Sequence, residues 1–98
     1  MKTQPPESKL TEKVFRWIRF ELEDVKDKTC VWAVFTKDGG YLGSVKWWSG
    51  WRKYCFFPAN GSLYEQDCLN DIAEFLETAT SIHKAPPATK VEDLIAPF

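Results

Sequence analysis

Residues 41–58 read YLGSVKWWSGWRKYCFFP, and this stretch decides the fold. Aromatic and β-branched residues dominate it, as is typical of strands. We interpret Ser49-Gly50 as a tight two-residue turn that divides the stretch into two strands. The first strand runs from Tyr41 to Trp48. The second runs from Trp51 to Phe57 and ends there because Pro58 cannot donate a hydrogen bond to a sheet.

A two-residue loop determines which side chains of this hairpin share a face. It pairs Trp48 with Trp51 and Trp47 with Arg52, and directly opposed side chains lie on the same face. The face that we assign to a covering helix is mainly large and apolar. It holds Tyr41, Gly43, Val45, Trp47, Arg52, Tyr54 and Phe56. The open face holds Leu42, Ser44, Lys46, Trp48, Trp51, Lys53, Cys55 and Phe57.

Upstream of this hairpin, residues 29–36 read TCVWAVFT and predict another strand. The Asp38-Gly39-Gly40 segment that follows is a strong hairpin signal, because glycine adopts the positive φ that tight turns require. The two central residues of the turn are either Asp38-Gly39 or Gly39-Gly40. Both choices place the same residues of the two strands on a common face. Trp32 and Val34 are therefore expected on the same face as Val45, under the helix.

The first strand is predicted from alternation. Residues 14–23 read VFRWIRFELE, in which Ile18, Phe20 and Leu22 alternate with charged residues. A period of two is typical of a half-buried strand. The beginning of this run, residues 14–18, is also compatible with the first turn of a helix, so the start of the strand stays open.

The second half of the chain predicts one amphipathic helix. Two starts fit the sequence, namely a capping box from Ser62 to Glu65 or a shorter helix with Asp67 as its N-cap. Pro86-Pro87 excludes continuation of the helix. Its apolar stripe has spacings of three and four residues. The stripe consists of Cys68, Ile72, Phe75, Leu76, Ala79 and Ile82.

Together these elements predict an α+β fold, an antiparallel four-stranded meander with one C-terminal amphipathic helix packed on one face (ββββα). Short connections make sequential strands antiparallel neighbours. Residues 1–12 are expected to form a disordered N-terminal lead-in, residues 13–83 a single α+β domain, and residues 84–98 a Pro-containing C-terminal tail. The tail either docks on the domain through a short turn or extends freely.

Composition and charge exclude several function classes. The chain has 98 residues and a net charge of −1, which disfavours both a strongly cationic nucleic-acid protein and an acidic DNA mimic. No apolar run approaches the roughly 20 residues that span a bilayer. The polar N-terminus does not resemble a signal peptide, so we expect a cytoplasmic protein without a membrane partner. Residues 1–62 carry four net positive charges and residues 63–98 five net negative ones.

The residues that usually carry catalysis or metal binding are sparse. Cys30, Cys55 and Cys68 have no paired spacing, and His83 is the single histidine. We expect all three thiols to be reduced. A zinc site needs about four ligands close together, and these residues do not have that spacing. No nucleophile elbow or phosphate-binding glycine loop is present. The sequence therefore predicts a non-enzymatic protein without metal or cofactor, in which His83 is a plain surface residue at a frayed helix end.

One feature of the sequence suggests binding, the aromatic and basic hairpin. Tryptophan is enriched at binding hot spots. An exposed pair of indoles beside cations could bind a protein or stack on the bases of a single-stranded nucleic acid. The same rings could instead only stabilise the hairpin, and self-association is a further possibility. The residues that we expect to bind a partner are Lys46, Trp48, Trp51, Arg52 and Lys53.

Residues 42–58 and 68–76 also carry a resemblance. They match a pattern LGx[IV]KW[WY]xxWRxYxFFP followed by CLxxIAxF[LI], and in this they resemble small phage- and prophage-encoded accessory proteins of unknown function. The group brings no catalytic residues. The resemblance implies an accessory phage gene acting in the bacterial host cytoplasm. By analogy, it implies a protein that binds a host protein or nucleoprotein complex, such as a nuclease or defence complex, and inhibits or redirects it.

Overall fold

The structure, a computed structural model, describes residues 4–85. A short 3-10 helix, Pro6–Lys9, precedes the sheet, and one α-helix, α1 (Gln66–Lys84), follows it. Five antiparallel strands form the sheet in sequence order. They are β1 (Glu12–Val14), β2 (Ile18–Val25), β3 (Cys30–Thr36), β4 (Tyr41–Trp48) and β5 (Lys53–Pro58). The predicted α+β class, antiparallel sheet and C-terminal helix are confirmed, but the sheet has five strands rather than four.

The additional strand arises because the predicted first strand is divided. Phe15 donates its N–H to the C=O of Ile18 at 2.8 Å, which closes a tight turn. β1 therefore folds back on β2, with Lys13 opposite Phe20. The turn residues include neither glycine nor proline, so the usual sequence signals of a turn are missing here.

The N-terminal segment differs from the predicted disordered lead-in, residues 1–12. Residues 6–9 form the 3-10 helix, and Leu10 is buried in the core. The indole N–H of Trp32 donates to the C=O of Leu10 at 2.6 Å. A buried indole N–H needs such a partner, so this bond ties the segment to the centre of the sheet. Beyond Ala85, the predicted C-terminal tail lies outside the described residues.

The core lies between the sheet and α1. Phe75 of the helix stacks on Phe20 with ring centroids 4.1 Å apart and meets Trp32 edge-on at 5.1 Å. Burial of each such side chain stabilises the fold by about 2 kcal/mol. The predicted stripe is confirmed, since its central members are fully or nearly buried. These are Ile72, Phe75, Ala79 and Ile82.

The start of α1 corrects both predicted N-termini. Glu65 is the N-cap, and its carboxylate accepts a hydrogen bond from the N–H of Cys68 at 2.8 Å. Neither Ser62 nor Asp67 caps the helix. The cap satisfies one of the backbone donors that every helix start leaves open.

The β4–β5 loop also differs from the prediction, because it has four residues, 49–52, instead of two. Trp48 pairs with Lys53, and not with Trp51 as predicted. The N–H groups of Trp51 and Arg52 both donate to the C=O of Trp48, at 3.2 and 2.9 Å. Arg52 adopts a positive φ of 56°, which completes the turn. The register changes by two residues, so every strand residue beyond the loop keeps its predicted face.

A β-bulge at the start of β4 exchanges two side chains between the faces. The register with β3 shifts by one residue, so that Phe35 pairs with Tyr41. As a result Tyr41 is 52% exposed and Leu42 only 7%, the reverse of the predicted assignment. Gly43 permits the bulge. Its φ is +147°, and a Cβ there would lie 2.4 Å from the carbonyl oxygen of Phe57.

Candidate interaction surface

The five predicted binding residues lie together at one end of the β4–β5 hairpin, and we call this surface the basic tip. Lys46 and Trp48 alternate along β4, and Lys53 is opposite Trp48 on β5. Alternation places these three side chains on the face away from α1. Trp51 and Arg52 are in the loop that joins the two strands, and both are exposed.

The two indoles of the basic tip are both exposed, but they are held differently. Trp48 is 48% exposed, and its ring centroid lies 6.4 Å from that of Phe57. Its indole also crosses Gly50, where an added Cβ would be 2.9 Å from Nε1. Trp51 is 69% exposed at the end of the loop. The tip thus combines a supported aromatic surface with a protruding indole.

A shallow depression of about 240 Å³ extends the basic tip along the open face. Its lining adds Cys55, Phe56 and Phe57 to the two indoles. The ammonium of Lys46 lies 4.6 Å from the ring centroid of Phe57, a cation–π distance. Alternation from Lys53 already places Cys55 and Phe57 on this face, so the sequence pattern contains the signal for both.

The electrostatic character of the hairpin is one-sided. Residues 41–58 contain three basic side chains and no acidic one. Within residues 4–85, no carboxylate forms an ion pair with Lys46, Arg52 or Lys53. The positive charge of the tip is therefore uncompensated within the described chain, and it attracts acidic surfaces or phosphates.

On the other face of the same hairpin, a buried polar group joins the two ends of the described chain, and we call it the anchor cluster. It consists of Glu7, Tyr54 and His83. The carboxylate of Glu7 is fully buried and accepts a hydrogen bond from the hydroxyl of Tyr54 at 2.5 Å. The same oxygen lies 2.6 Å from Nδ1 of His83. The Tyr54 oxygen in turn accepts the N–H of Cys30 at 2.9 Å.

The anchor cluster corrects the prediction for His83. Its ring packs on Trp47 with centroids 4.3 Å apart and is paired with Glu7, so it is not a plain surface residue. Sequence reasoning also missed Glu7, which lies in the predicted disordered lead-in. The two residues are 76 positions apart, and no local pattern connects them.

The chemistry of the anchor cluster favours a structural role. Burial, followed by the charge of Glu7, raises the pKa of the Cys30 thiol to about 12, so the thiolate nucleophile is not formed at neutral pH. Burial and the hydrogen bond to Glu7 also raise the pKa of Tyr54. Both groups stay protonated at neutral pH, and the Tyr54 hydroxyl is a fixed hydrogen-bonding partner for Glu7 and for the backbone N–H of Cys30.

Comparison with known proteins points to phages. Over 50 residues the chain is 36% identical to an "Uncharacterized 9.3 kDa protein" of Acholeplasma phage L2. The match covers 50% of this chain and spans 64% of the length of that protein. No protein-family model matches the chain, and no solved structure matches it. The similarity supports a phage origin with unknown function, and it does not test the specific residue pattern.

A helix that crosses a membrane must be both long and apolar. Among residues 4–85, no helix has both the length and the apolar character needed to cross a membrane. α1 carries acidic side chains along its exposed side, including Glu74 and Glu77.

Proposed function

We propose that this chain is a non-enzymatic, phage-encoded binding protein that acts in the bacterial cytoplasm. Its basic tip would bind a host protein and inhibit or redirect it. A single observation carries the proposal. The hairpin exposes two indoles among three uncompensated cations, and its opposite face packs into the core. A host nuclease or defence complex is the partner class that the phage similarity suggests by analogy.

The geometry of the basic tip defines the partner surface that fits it. Trp51 protrudes and needs an apolar pocket, whereas Trp48 offers a flat ring for contact beside it. Tryptophan and arginine at the centre of an interface carry most of the binding energy. Lys46, Arg52 and Lys53 require carboxylates around that pocket. The proposed partner site is thus an apolar depression with an acidic rim.

Affinity capture with matched variants tests the proposal. The chain is immobilised and exposed to nuclease-treated lysate of the bacterial host, and the retained protein is identified, purified and titrated back. We expect Trp48→Ala plus Trp51→Ala to weaken this binding by about 100-fold or more, since each is placed as a hot spot. Tyr41→Ala is the control, because Tyr41 is an aromatic residue that is 52% exposed at the opposite end of β4.

Two results would contradict the proposal. One is full binding by the double variant with an unchanged circular dichroism spectrum. The other is equal loss of binding by Tyr41→Ala, because the contact would then not be centred on the basic tip.

A second candidate function uses the same residues. Exposed indoles stack on bases of any sequence, and cations beside them meet phosphates, so the basic tip also fits single-stranded nucleic acid. Quenching of tryptophan fluorescence by a single-stranded oligonucleotide measures this binding directly. Three neutralised phosphates predict a slope of about −2 for log K against log salt. An apolar protein contact responds much less to salt, and lack of any quenching at low salt rules the second function out.

A further inference from the structure

A groove lies at the end of the sheet opposite the basic tip, and we call it the acidic groove. It has a volume of about 610 Å³. It lies between the start of α1 and the end of the sheet at which β2 begins and β3 finishes. The apolar part of its lining includes Trp17, Leu42 and Leu63. Trp17 is 50% exposed and Leu63 is 89% exposed. Exposed apolar side chains around a concave surface are typical of an interaction site.

The charges at the edge of the groove are mainly negative. Asp38, Glu65 and Asp67 contribute three carboxylates. The two cations are Lys37 and Arg16, whose guanidinium lies 4.9 Å from the ring centroid of Trp17. A hydrogen bond from the Thr36 side chain lowers the pKa of Asp38, and backbone N–H donors at the start of α1 lower that of Glu65. Both groups are therefore fully ionised at neutral pH. The groove has the charge and shape that the basic tip requires of a partner.

The two surfaces cannot meet within one molecule. Leu42 lies at the groove end of β4, and Trp48 lies at the tip end of the same strand. Six residues of strand separate them by about 20 Å at roughly 3.3 Å per residue. A contact between the basic tip and the acidic groove must therefore join two copies of the chain.

We infer that the acidic groove binds the basic tip of a second copy of this chain, with Trp51 of one copy seated between Trp17 and Leu63 of the next. The groove is large enough, since a cavity of about 150 Å³ already holds a benzene ring. Arg52 and Lys53 of the inserted tip face the carboxylates of Asp38, Glu65 and Asp67. The contact joins different surfaces, so it is heterologous.

This mode of contact has consequences for assembly. A dimer joined in this way still has one free tip, on one copy, and one free groove, on the other, so association continues beyond the dimer unless a ring closes. A single hairpin loop in a groove buries less surface than a standard stable interface. Association is therefore weak and appears only at high protein concentration. It also occupies the basic tip, so self-association competes with the proposed host partner.

Two variants separate the surfaces. Trp51→Ala removes the inserted indole and leaves the groove intact. Leu63→Lys adds a repelling charge to the groove and leaves the tip intact, and its position is exposed enough to tolerate lysine. Analytical ultracentrifugation of the full chain between 10 µM and 1 mM is the measurement. We expect wild-type species larger than a dimer at the upper end, and monomers for each variant alone.

Mixing the two variants gives the decisive result. Leu63→Lys supplies a tip and Trp51→Ala supplies a groove, so an equimolar mixture should form a 1:1 dimer that cannot grow. Differently labelled samples identify it. A monomeric wild-type chain at 1 mM, or a mixture that stays monomeric, overturns the inference. Self-association lost in Trp51→Ala but retained in Leu63→Lys also overturns it, because the tips would then pair with each other.

The outcome is separate from that of the proposed function. Leu63→Lys should still bind the host partner, whereas Trp51→Ala should lose both contacts. Loss of host binding in Leu63→Lys, with a wild-type chain that stays monomeric, would assign the acidic groove to the host protein and would contradict self-association.

Discussion

The basic tip and the anchor cluster occupy the two faces of one hairpin, and neighbouring residues belong to different regions. Trp48 is half exposed, whereas Trp47 packs against Tyr54 and His83. Lys53 faces solvent and Tyr54 is buried with its hydroxyl bonded. Because side chains alternate along a strand, successive residues belong in turn to the exposed surface and to the core. Substitutions on one face should change stability, and those on the other should change binding.

The largest effect is expected from the buried carboxylate. Glu7→Ala leaves the hydroxyl of Tyr54 and the ring of His83 without their shared acceptor. A buried polar group left without its hydrogen-bond partner costs about 1–3 kcal/mol, and two groups lose their acceptor here. The free energy of unfolding, measured by urea denaturation, should fall by about 3 kcal/mol.

Glu12→Ala is the matched control, since Glu12 is an exposed acid on the adjacent strand. Its effect should stay within about 0.5 kcal/mol. Equal effects of the two substitutions would show that the anchor cluster does not stabilise the fold.

The next effect concerns the hydroxyl at the centre of the cluster. Tyr54→Phe keeps the ring against Trp32 but leaves the N–H of Cys30 and the carboxylate of Glu7 short of a partner. A buried group without its hydrogen bond costs about 2 kcal/mol. Tyr41→Phe is the control, because Tyr41 is 52% exposed, and it should leave the urea midpoint unchanged. A Tyr54→Phe protein as stable as wild type would contradict the assigned bonds.

Alkaline pH should weaken the same region. The folded state holds the pKa of Cys30 at about 12, against an ordinary value of 9.0. Above pH 9 the unfolded chain loses this proton while the folded chain keeps it, so the free energy of unfolding falls as pH rises. One such group gives a slope of up to about 1.4 kcal/mol per pH unit. Below pH 9 this contribution is complete and constant.

Urea titrations at pH 8, 9 and 10 measure this slope. Cys30→Ala should reduce it, and Cys55→Ala, at a partly exposed thiol, should retain the wild-type slope. A slope that is the same in all three proteins would exclude Cys30 as its source.

The smallest effect on stability is expected at the loop. Trp51→Ala removes a side chain that is 69% exposed, so the free energy of unfolding should change by less than about 0.5 kcal/mol. Trp47→Ala, four positions earlier, should cost about 3 kcal/mol, because its ring packs on Tyr54 and His83. If the loop substitution were the more costly of the two, the division between the faces would be wrong.

The exposed region could be predicted from the sequence because it depends on local patterns. Alternation placed Lys46 and Trp48 away from Val45. Lys53 on β5 kept its predicted face despite an incorrect loop length, because the register changed by two residues. The bulge at Gly43 was not predictable from alternation, since it depends on the close approach of Phe57 from β5. It therefore reversed Tyr41 and Leu42.

The buried region could not be predicted, for a physical reason. A glutamate in a proline-rich polar segment is typical of solvated chain, and only the tertiary fold supplies Tyr54 and His83 as partners. The extra strand was missed for a related reason, because the turn at residues 15–17 is closed by backbone bonding without a turn residue. Local sequence carries periodicity, but it does not carry contacts between the ends of a chain.

The bond between Glu7 and His83 also orders events during synthesis on the ribosome. Glu7 leaves the exit tunnel early, and its partner is added 76 residues later. Trp32 and Tyr54 hold the same segment through Leu10 and Glu7, so His83 is the last of its described side-chain partners to be synthesised. A product that stalls before His83 lacks this contact and keeps only the earlier ones. Only a chain that extends past the end of α1 can therefore form the contact between the two ends of the described residues.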